Sequence, residues 1–350
     1  MKSKFLMNGL YKLAFDCLIL RVKRSNLISV QRFLRLLRSI YPLNNNFMGF
    51  PSIIILLLVI SLTTMSCEKK TAKITQGKML KVVTTLFPLY DFAKNVGKQR
   101  ADVTLLLPPG VEPHSFEPKP KDILTIHEAD IFIYTGKFME PWVKDVLKGV
   151  GDEGPLVVDS GKGIVFTNNN NEYRIDPHIW LDFSKAQKMV DNILEGFLKR
   201  DPENSSFYIE NAKEFKKKLN KLDRKYKDSL SSCKKKVIIH GGHFAFGYLA
   251  NRYNLKYISA YKGFAPDAEP TPGNLIELIK NLKNYNVKYL FYEELVSPKV
   301  AEVISKETGA KLLLLHGAHN VTREDLAQGV TFIFLMEQNL RNLMTGLECK

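Results

Sequence analysis

The chain has 350 residues, 51 Lys or Arg against 36 Asp or Glu, and a formal charge of +15 at neutral pH. The length suits two domains of ordinary size. Nine of the bases and only one acid, Asp16, fall within residues 1–66, so beyond that point the charge is +7, with 42 basic and 35 acidic residues. The remaining lysines line helix faces such as Phe215-Lys216-Lys217-Lys218-Leu219, without the interleaved aromatic platform on which bases stack. A nucleic-acid partner is therefore not expected; a solvated surface suited to an anionic membrane is.

In chain order, the first 66 residues read as a leader. No charge occurs from Ser39 to Ser66, and Ile53 to Leu62 is an apolar core of about 10 residues, the length of a signal-peptide core. It leads into Thr64-Met65-Ser66-Cys67 and then Glu68-Lys69-Lys70. The arrangement resembles a bacterial lipoprotein signal, which implies lipidation at Cys67 and a polar linker over residues 67–79. The alternative is a retained anchor, because the uncharged stretch is long enough for a bilayer core of about 30 Å. Both place the folded part outside the cytoplasm. Of the four cysteines, Cys233 and Cys349 remain; they form either a disulfide, as an oxidising compartment permits, or two free thiols.

From Lys81 onward β-branched runs alternate with helical patterns, the signature of parallel-sheet α/β units. Strands are predicted at 81–85, 103–107, 131–134 and 156–158, with helices at 88–96, 120–127 and 141–148 between them. A second set has strands at 236–239, 255–259, 287–291 and 311–315, with helices at 244–252, 272–284 and 298–308 and a last helix over 326–347. Two similar α/β lobes are implied, residues 80–201 and 232–350. Between them Asp201-Pro202-Glu203 opens a long polar helix over 202–231, with apolar positions at Phe207, Ile209, Phe215, Leu219 and Leu222. The run Asn168 to Asn171 reads as a surface loop.

Three histidines occupy phrases where a strand has ended and a helix is about to begin: Pro113-His114-Ser115-Phe116-Glu117-Pro118, Asp176-Pro177-His178-Ile179-Trp180-Leu181-Asp182, and His243-Phe244-Ala245-Phe246-Gly247-Tyr248. Imidazole is a common zinc ligand, and three such loops meeting at one point would make most of a tetrahedral site. With Glu307-Thr308-Gly309-Ala310 before the last strand, these phrases resemble the metal-specific solute-binding lipoproteins of bacterial zinc and manganese ABC transporters, in order and spacing from about Lys81 to the C-terminus. The resemblance implies two α/β lobes joined by one long helix, with a divalent metal in the cleft between them as transported cargo. It implies delivery to a membrane permease with its ATPase, a lipid anchor in the membrane surface, and a monomer.

Carried over by position, the first three ligands are His114, His178 and His243. The manganese-binding branch tends to have a carboxylate at the third position, so His243 favours Zn2+ over Mn2+. The fourth position departs from the family. Many members place an Asp after the last strand, whereas here Leu312 to Leu315 runs into His316-Gly317-Ala318-His319-Asn320, with no acid before Glu324. The fourth ligand is left open among His316, His319 and water. Four imidazoles would leave the full metal charge in a partly buried cleft unless nearby acids compensate. Glu117, Asp176 and Asp182 are candidates for that, or for helix caps. His240 reads as a supporting or core residue, His127 as a surface residue, and Trp180 and Tyr248 as packing around the cleft.

The competing class is a zinc hydrolase, since three histidines and an open position also activate water. Against it, the exported part has no His-Glu-x-x-His, Gly-x-Ser-x-Gly or Cys-x-x-Cys motif. Glu293-Glu294 is the best candidate for a general base, and equally a structural strand end. A surface-adhesion role, which members of the resembling family have also carried, is required by nothing in the sequence.

Overall fold

The computed structural model describes residues 79–151, 153–166, 175–261, 263, 270–295 and 298–350. The leader, Cys67, all but the last residue of the 67–79 linker and the Asn168–Asn171 run lie outside the described residues.

The first lobe carries β1 (Leu80–Thr84), α1 (Phe87–Gly97), β2 (Ala101–Leu105), α2 (Pro120–His127), β3 (Ile131–Tyr134), α3 (Val143–Val150) and β4 (Leu156–Asp159), and closes with α4 (Phe183–Arg200). Its sheet is all parallel, in the order β2-β1-β3-β4. The second lobe repeats the plan. It has β5 (Val237–His240), α6 (Gly247–Arg252), β6 (Lys256–Ser259), α7 (Pro272–Asn284), β7 (Tyr289–Tyr292), α8 (Lys299–Thr308) and β8 (Lys311–Leu314), in the parallel order β6-β5-β7-β8. In both sheets the order reverses beside the first strand, and loops leaving the carboxyl ends of strands at such a switch point form a crevice.

Between the lobes runs α5 (Ser205–Ser231), 27 residues or about 40 Å of helix. A 3-10 turn over Pro202–Asn204 starts it, and the Asp201 carboxylate accepts from Asn204 and from the Tyr208 hydroxyl. The buried stripe of α5 is Tyr208, Ala212, Phe215, Leu219, Leu222, Tyr226 and Leu230. Ile209, expected on that face, is 47% exposed: the three- and four-residue spacing that starts from Tyr208 turns it to solvent.

The last helix was expected to be continuous over 326–347. It is instead two, α9 (Arg323–Ala327) and α10 (Phe332–Gly346). Gly329 in the left-handed region ends the first, and the Thr331 hydroxyl caps the second by accepting from Phe334 N.

One apolar core passes through α5 into both lobes. Phe92 of α1 packs on Phe215 at 5.4 Å and edge-on to Phe332 of α10 at 5.1 Å. Phe183 of α4 packs on Tyr226 at 5.0 Å, and the Tyr226 hydroxyl donates to Met336 O. A guanidinium adds a polar clamp: Arg252 of α6 makes a bidentate pair with Asp223 of α5, both bonds 2.6 Å, and reaches Asp182 at 2.9 Å. Cys233 and Cys349 form a disulfide, tying the C-terminus to the strand entry of the second lobe.

Candidate metal centre

Loops from the carboxyl ends of both sheets bring four histidines together. One nitrogen each from His114, His178, His243 and His319 lies within 4.8 Å of the others. His178 Nε2 is 3.2 Å from His114 Nε2 and 3.4 Å from His243 Nε2. Ligand nitrogens at the usual zinc distance in a tetrahedron stand about 3.3 Å apart. His178, His243 and His319 are buried, and His114 is the partly exposed member that marks the mouth.

The far nitrogens explain why the near ones point inward. His178 Nδ1 is 2.8 Å from Asp176 Oδ1, an oxygen that also accepts from His178 N at 3.0 Å. His243 Nδ1 pairs with Glu293, whose other oxygen accepts from His243 N at 3.1 Å. His319 Nδ1 is 3.4 Å from Glu294 Oε1, and Glu294 Oε2 accepts from Gly317 N at 2.7 Å. A carboxylate at Nδ1 holds the hydrogen there and leaves the Nε2 lone pair for a cation, the usual arrangement behind a metal-ligating histidine. His319 Nε2 itself is buried without a hydrogen-bond partner. A nitrogen lone pair so placed is costly unless something electrophilic sits before it. The donor set therefore fits a zinc-sized, nitrogen-preferring cation.

Electrostatics agree. Burial, and then the neighbouring imidazoles, hold His114 and His178 well below the ordinary histidine value, so both are neutral donors at neutral pH. Burial also pulls His243 down, but Glu293 prevails and raises it. Burial pushes Asp176 up to about 8. Burial works the same way on Glu293 and Glu294, yet the adjoining histidines prevail, lowering Glu293 and bringing Glu294 well below the ordinary glutamate value. Carboxyls thus stand behind three of the four imidazoles, the compensation that an all-histidine site needs.

Two glycines are required by close approach. A Cβ on Gly317 would stand 2.3 Å from His319 Cε1, and one on Gly242 would stand 2.3 Å from Glu293 Oε1. Either methyl would displace a ring or the carboxylate behind it.

His316, the other candidate for the fourth position, stands outside the cluster. Its backbone exchanges two bonds with the Asn339 side chain, at 2.7 and 2.8 Å. Its Nδ1 is 2.9 Å from Ala318 N and 3.2 Å from Glu294 Oε1. The Ala318 amide donates to that nitrogen, which fixes the turn beside the Glu294 carboxylate.

Residues 82–346 match the zinc-uptake complex component A family, described as periplasmic. The chain belongs to it. Among curated relatives of this family, the high-affinity zinc uptake system protein of Bacillus subtilis is 38% identical over 289 residues, covering 79% of this chain and 90% of its own. The zinc-binding lipoprotein AdcA of Streptococcus pneumoniae is 35% identical over 286 residues, 77% of this chain and 56% of that longer protein. Among solved structures, the metal-dependent lipoprotein YcdH of Bacillus subtilis has a TM-score of 0.69 and 40% identity, covering 77% of this chain and 99% of its own. The Zn(II)-bound ZnuA-like domain of Streptococcus pneumoniae AdcA has a TM-score of 0.69 and 34% identity, covering 78% and 100%. The family is one of solute-binding proteins, and the hydrolase reading has no support from it.

Of Glu117, Asp176 and Asp182, the acids named as support for the ligands, only Asp176 orients an imidazole. Asp182 caps α4, accepting from Ser184 N at 2.9 Å, and Glu117 is exposed. Glu293 and Glu294 were considered as a general base or a strand end, and their place behind His243 and His319 was missed. A signal was present: two adjacent acids at the carboxyl end of β7, beside the switch point, face the crevice where cations bind. His240 is buried outside the cluster, its Nδ1 3.1 Å from the Tyr257 hydroxyl. Trp180 does more than pack; its Nε1 donates to Gly317 O at 2.8 Å, across the lobes. Tyr248 likewise donates to Asp176 O at 3.1 Å.

Proposed function

We propose that this protein captures Zn2+ outside the cytoplasm through His114, His178, His243 and His319 and hands it to the permease of an ABC transporter, whose ATPase drives uptake. The observation that carries the reading is the buried, unpartnered Nε2 of His319, which faces the other three donors. Zinc is favoured over manganese because all four donors are nitrogen, whereas manganese prefers carboxylate oxygen. His316 has a structural role in its turn. The remaining elements of the reading are a leader over 1–66, lipidation of Cys67, a linker over 67–79, lobes over 80–201 and 232–350 with the helix of 202–231 between them, and a monomer on the membrane surface. Names of relatives support the coarser part, since several are zinc-binding or lipoprotein components of uptake systems.

The test is metal analysis of the purified protein followed by competition titration. One zinc per chain, displaced by strong chelators and not by excess Mn2+, is the expected result. Preferential retention of manganese would overturn the zinc assignment.

A further inference from the structure

The loop from Gly317 to Val321 leaves the carboxyl end of β8 in the second lobe, yet three of its five carbonyls accept hydrogen bonds from the first. Phe87 N donates to His319 O at 3.1 Å, Gly110 N donates to Val321 O at 2.9 Å, and Trp180 Nε1 donates to Gly317 O. Asn320 is at the centre of this seam and is wholly buried. Its Nδ2 donates to Pro108 O at 2.7 Å and to Val111 O at 3.0 Å, and its Oδ1 accepts from Val321 N at 2.9 Å. Both donor hydrogens of the amide are therefore spent on the segment that leads to His114.

The loop does not hold this shape by local preference. Ala318, between the two histidines, has φ of +57°, a left-handed conformation that a non-glycine residue occupies at a cost. Gly317 has the His319 ring where a Cβ would be. Such a turn persists when its surroundings over-determine it, and here the carbonyls on either side of Ala318, those of Gly317 and His319, are held by donors of the opposite lobe.

We propose that Asn320 is a positioning residue that fastens the His319 loop to the His114 loop across the lobe boundary, so that the fourth donor is in place only while the lobes are docked. The inference rests on the four-histidine site proposed above. It makes loss of the seam the step that converts a four-nitrogen site into a three-nitrogen one, which is how a tightly held cation becomes releasable without any ligand being protonated. The amide, unlike a charged group, does this with no effect on the charge of the site.

The experiment compares the unsubstituted protein with Asn320→Leu, which is close in volume and removes both donors, Asn320→Ala, and His319→Ala. Zinc dissociation is followed with an excess of chelator, and Co2+ alone is used as a probe of coordination through its visible absorption. Asn320→Leu is expected to release zinc about 10- to 100-fold faster, the cost typical of losing an orienting partner, and to shift the Co2+ spectrum toward that of His319→Ala. If His319→Ala weakens binding while the Asn320 variants match the unsubstituted protein in both readouts, the positioning role is wrong and the site reading stands. If His319→Ala binds zinc with unchanged affinity, the four-histidine reading falls and this proposal with it. Should the variants not fold, hydrogen exchange of the unsubstituted protein decides. The Phe87 and Gly110 amides are expected to gain protection on zinc loading, and unchanged protection overturns the proposal.

Discussion

The two lobes contribute two histidines each, but they support them differently. In the first lobe the acid behind His178 is Asp176, two residues away in the same phrase. In the second, the acids behind His243 and His319 are Glu293 and Glu294, 50 and 25 residues away on the end of β7. One side of the site is built by a local turn, and the other only by folding a parallel sheet. All three acids are buried, but their charge differs in consequence: Asp176 rises to about 8, while the histidines they face lower Glu293 and bring Glu294 well below the ordinary glutamate value. The bare site is thus poised with a protonated acid in one lobe and ionised ones in the other.

The largest expected effect comes from removing the donor that only the fold identifies. His319→Ala deletes a ligand nitrogen and should weaken zinc by more than the roughly 10- to 100-fold that an orienting partner is worth. His316→Ala, two residues past the end of β8 and outside the cluster, should leave affinity within a few fold while lowering stability, because the Ala318 turn loses its acceptor. Competition titration and thermal unfolding of both variants read this directly. Equal loss of zinc affinity in the two would mean that the loop acts as a unit, and the distinction between the neighbouring histidines would be lost.

The supporting acids give the next effect. Asp176→Asn keeps an oxygen for the His178 Nδ1–H, whereas Glu294→Gln removes a charge that also accepts from Gly317 N. Each should weaken zinc about 10- to 100-fold. The second-lobe variants Glu293→Gln and Glu294→Gln are expected at the larger end, because their carboxylates are already ionised and attract the cation before it arrives. A larger loss from Asp176→Asn than from either would reverse the comparison between the lobes.

That same contrast accounts for what the sequence revealed. The alternation of strands and helices, the two lobes and the interlobe helix were legible because each rests on short-range pattern: β-branched runs, Pro at helix starts, a three-four stripe. His114, His178 and His243 were legible because each sits in a phrase that carries its own turn, and Asp176 because it lies within one. The choice between His316 and His319 was not, since both precede the same helix and differ only in which way a strained turn aims them. Ala318 at positive φ and Gly317 beneath the His319 ring decide that, and the carbonyls on either side of Ala318 are held by donors of the other lobe. The role of Glu293 and Glu294 was hidden for a similar reason. Their partners are fixed by strand order, which composition and periodicity do not specify. The face of α5 was misread at Ile209 because a helix packed between two lobes is buried along a narrow stripe, and hydrophobic residues beside that stripe look alike in sequence.

The smallest expected effect concerns protons. In the bare protein at pH 7, Asp176 holds a proton, since burial sets it at about 8, and His243 is raised by Glu293, so part of its population is imidazolium. Zinc requires the neutral imidazole, and a cation on His178 favours the Asp176 anion at the far nitrogen. Binding therefore releases protons, and by linkage affinity rises with pH and flattens above about 8, where Asp176 has already ionised. Glu294 is held low by its histidines and has no proton to give. Calorimetric titrations with zinc in buffers of different ionisation enthalpy count the protons released. Asp176→Asn and Glu293→Gln are each expected to lower that count at pH 7, one from each lobe, and Glu294→Gln to leave it unchanged. A fall in Glu294→Gln would show that the acids of the second lobe are not ionised before the metal binds, and the two lobes would then be alike in charge and different only in how far along the chain each recruits its acid.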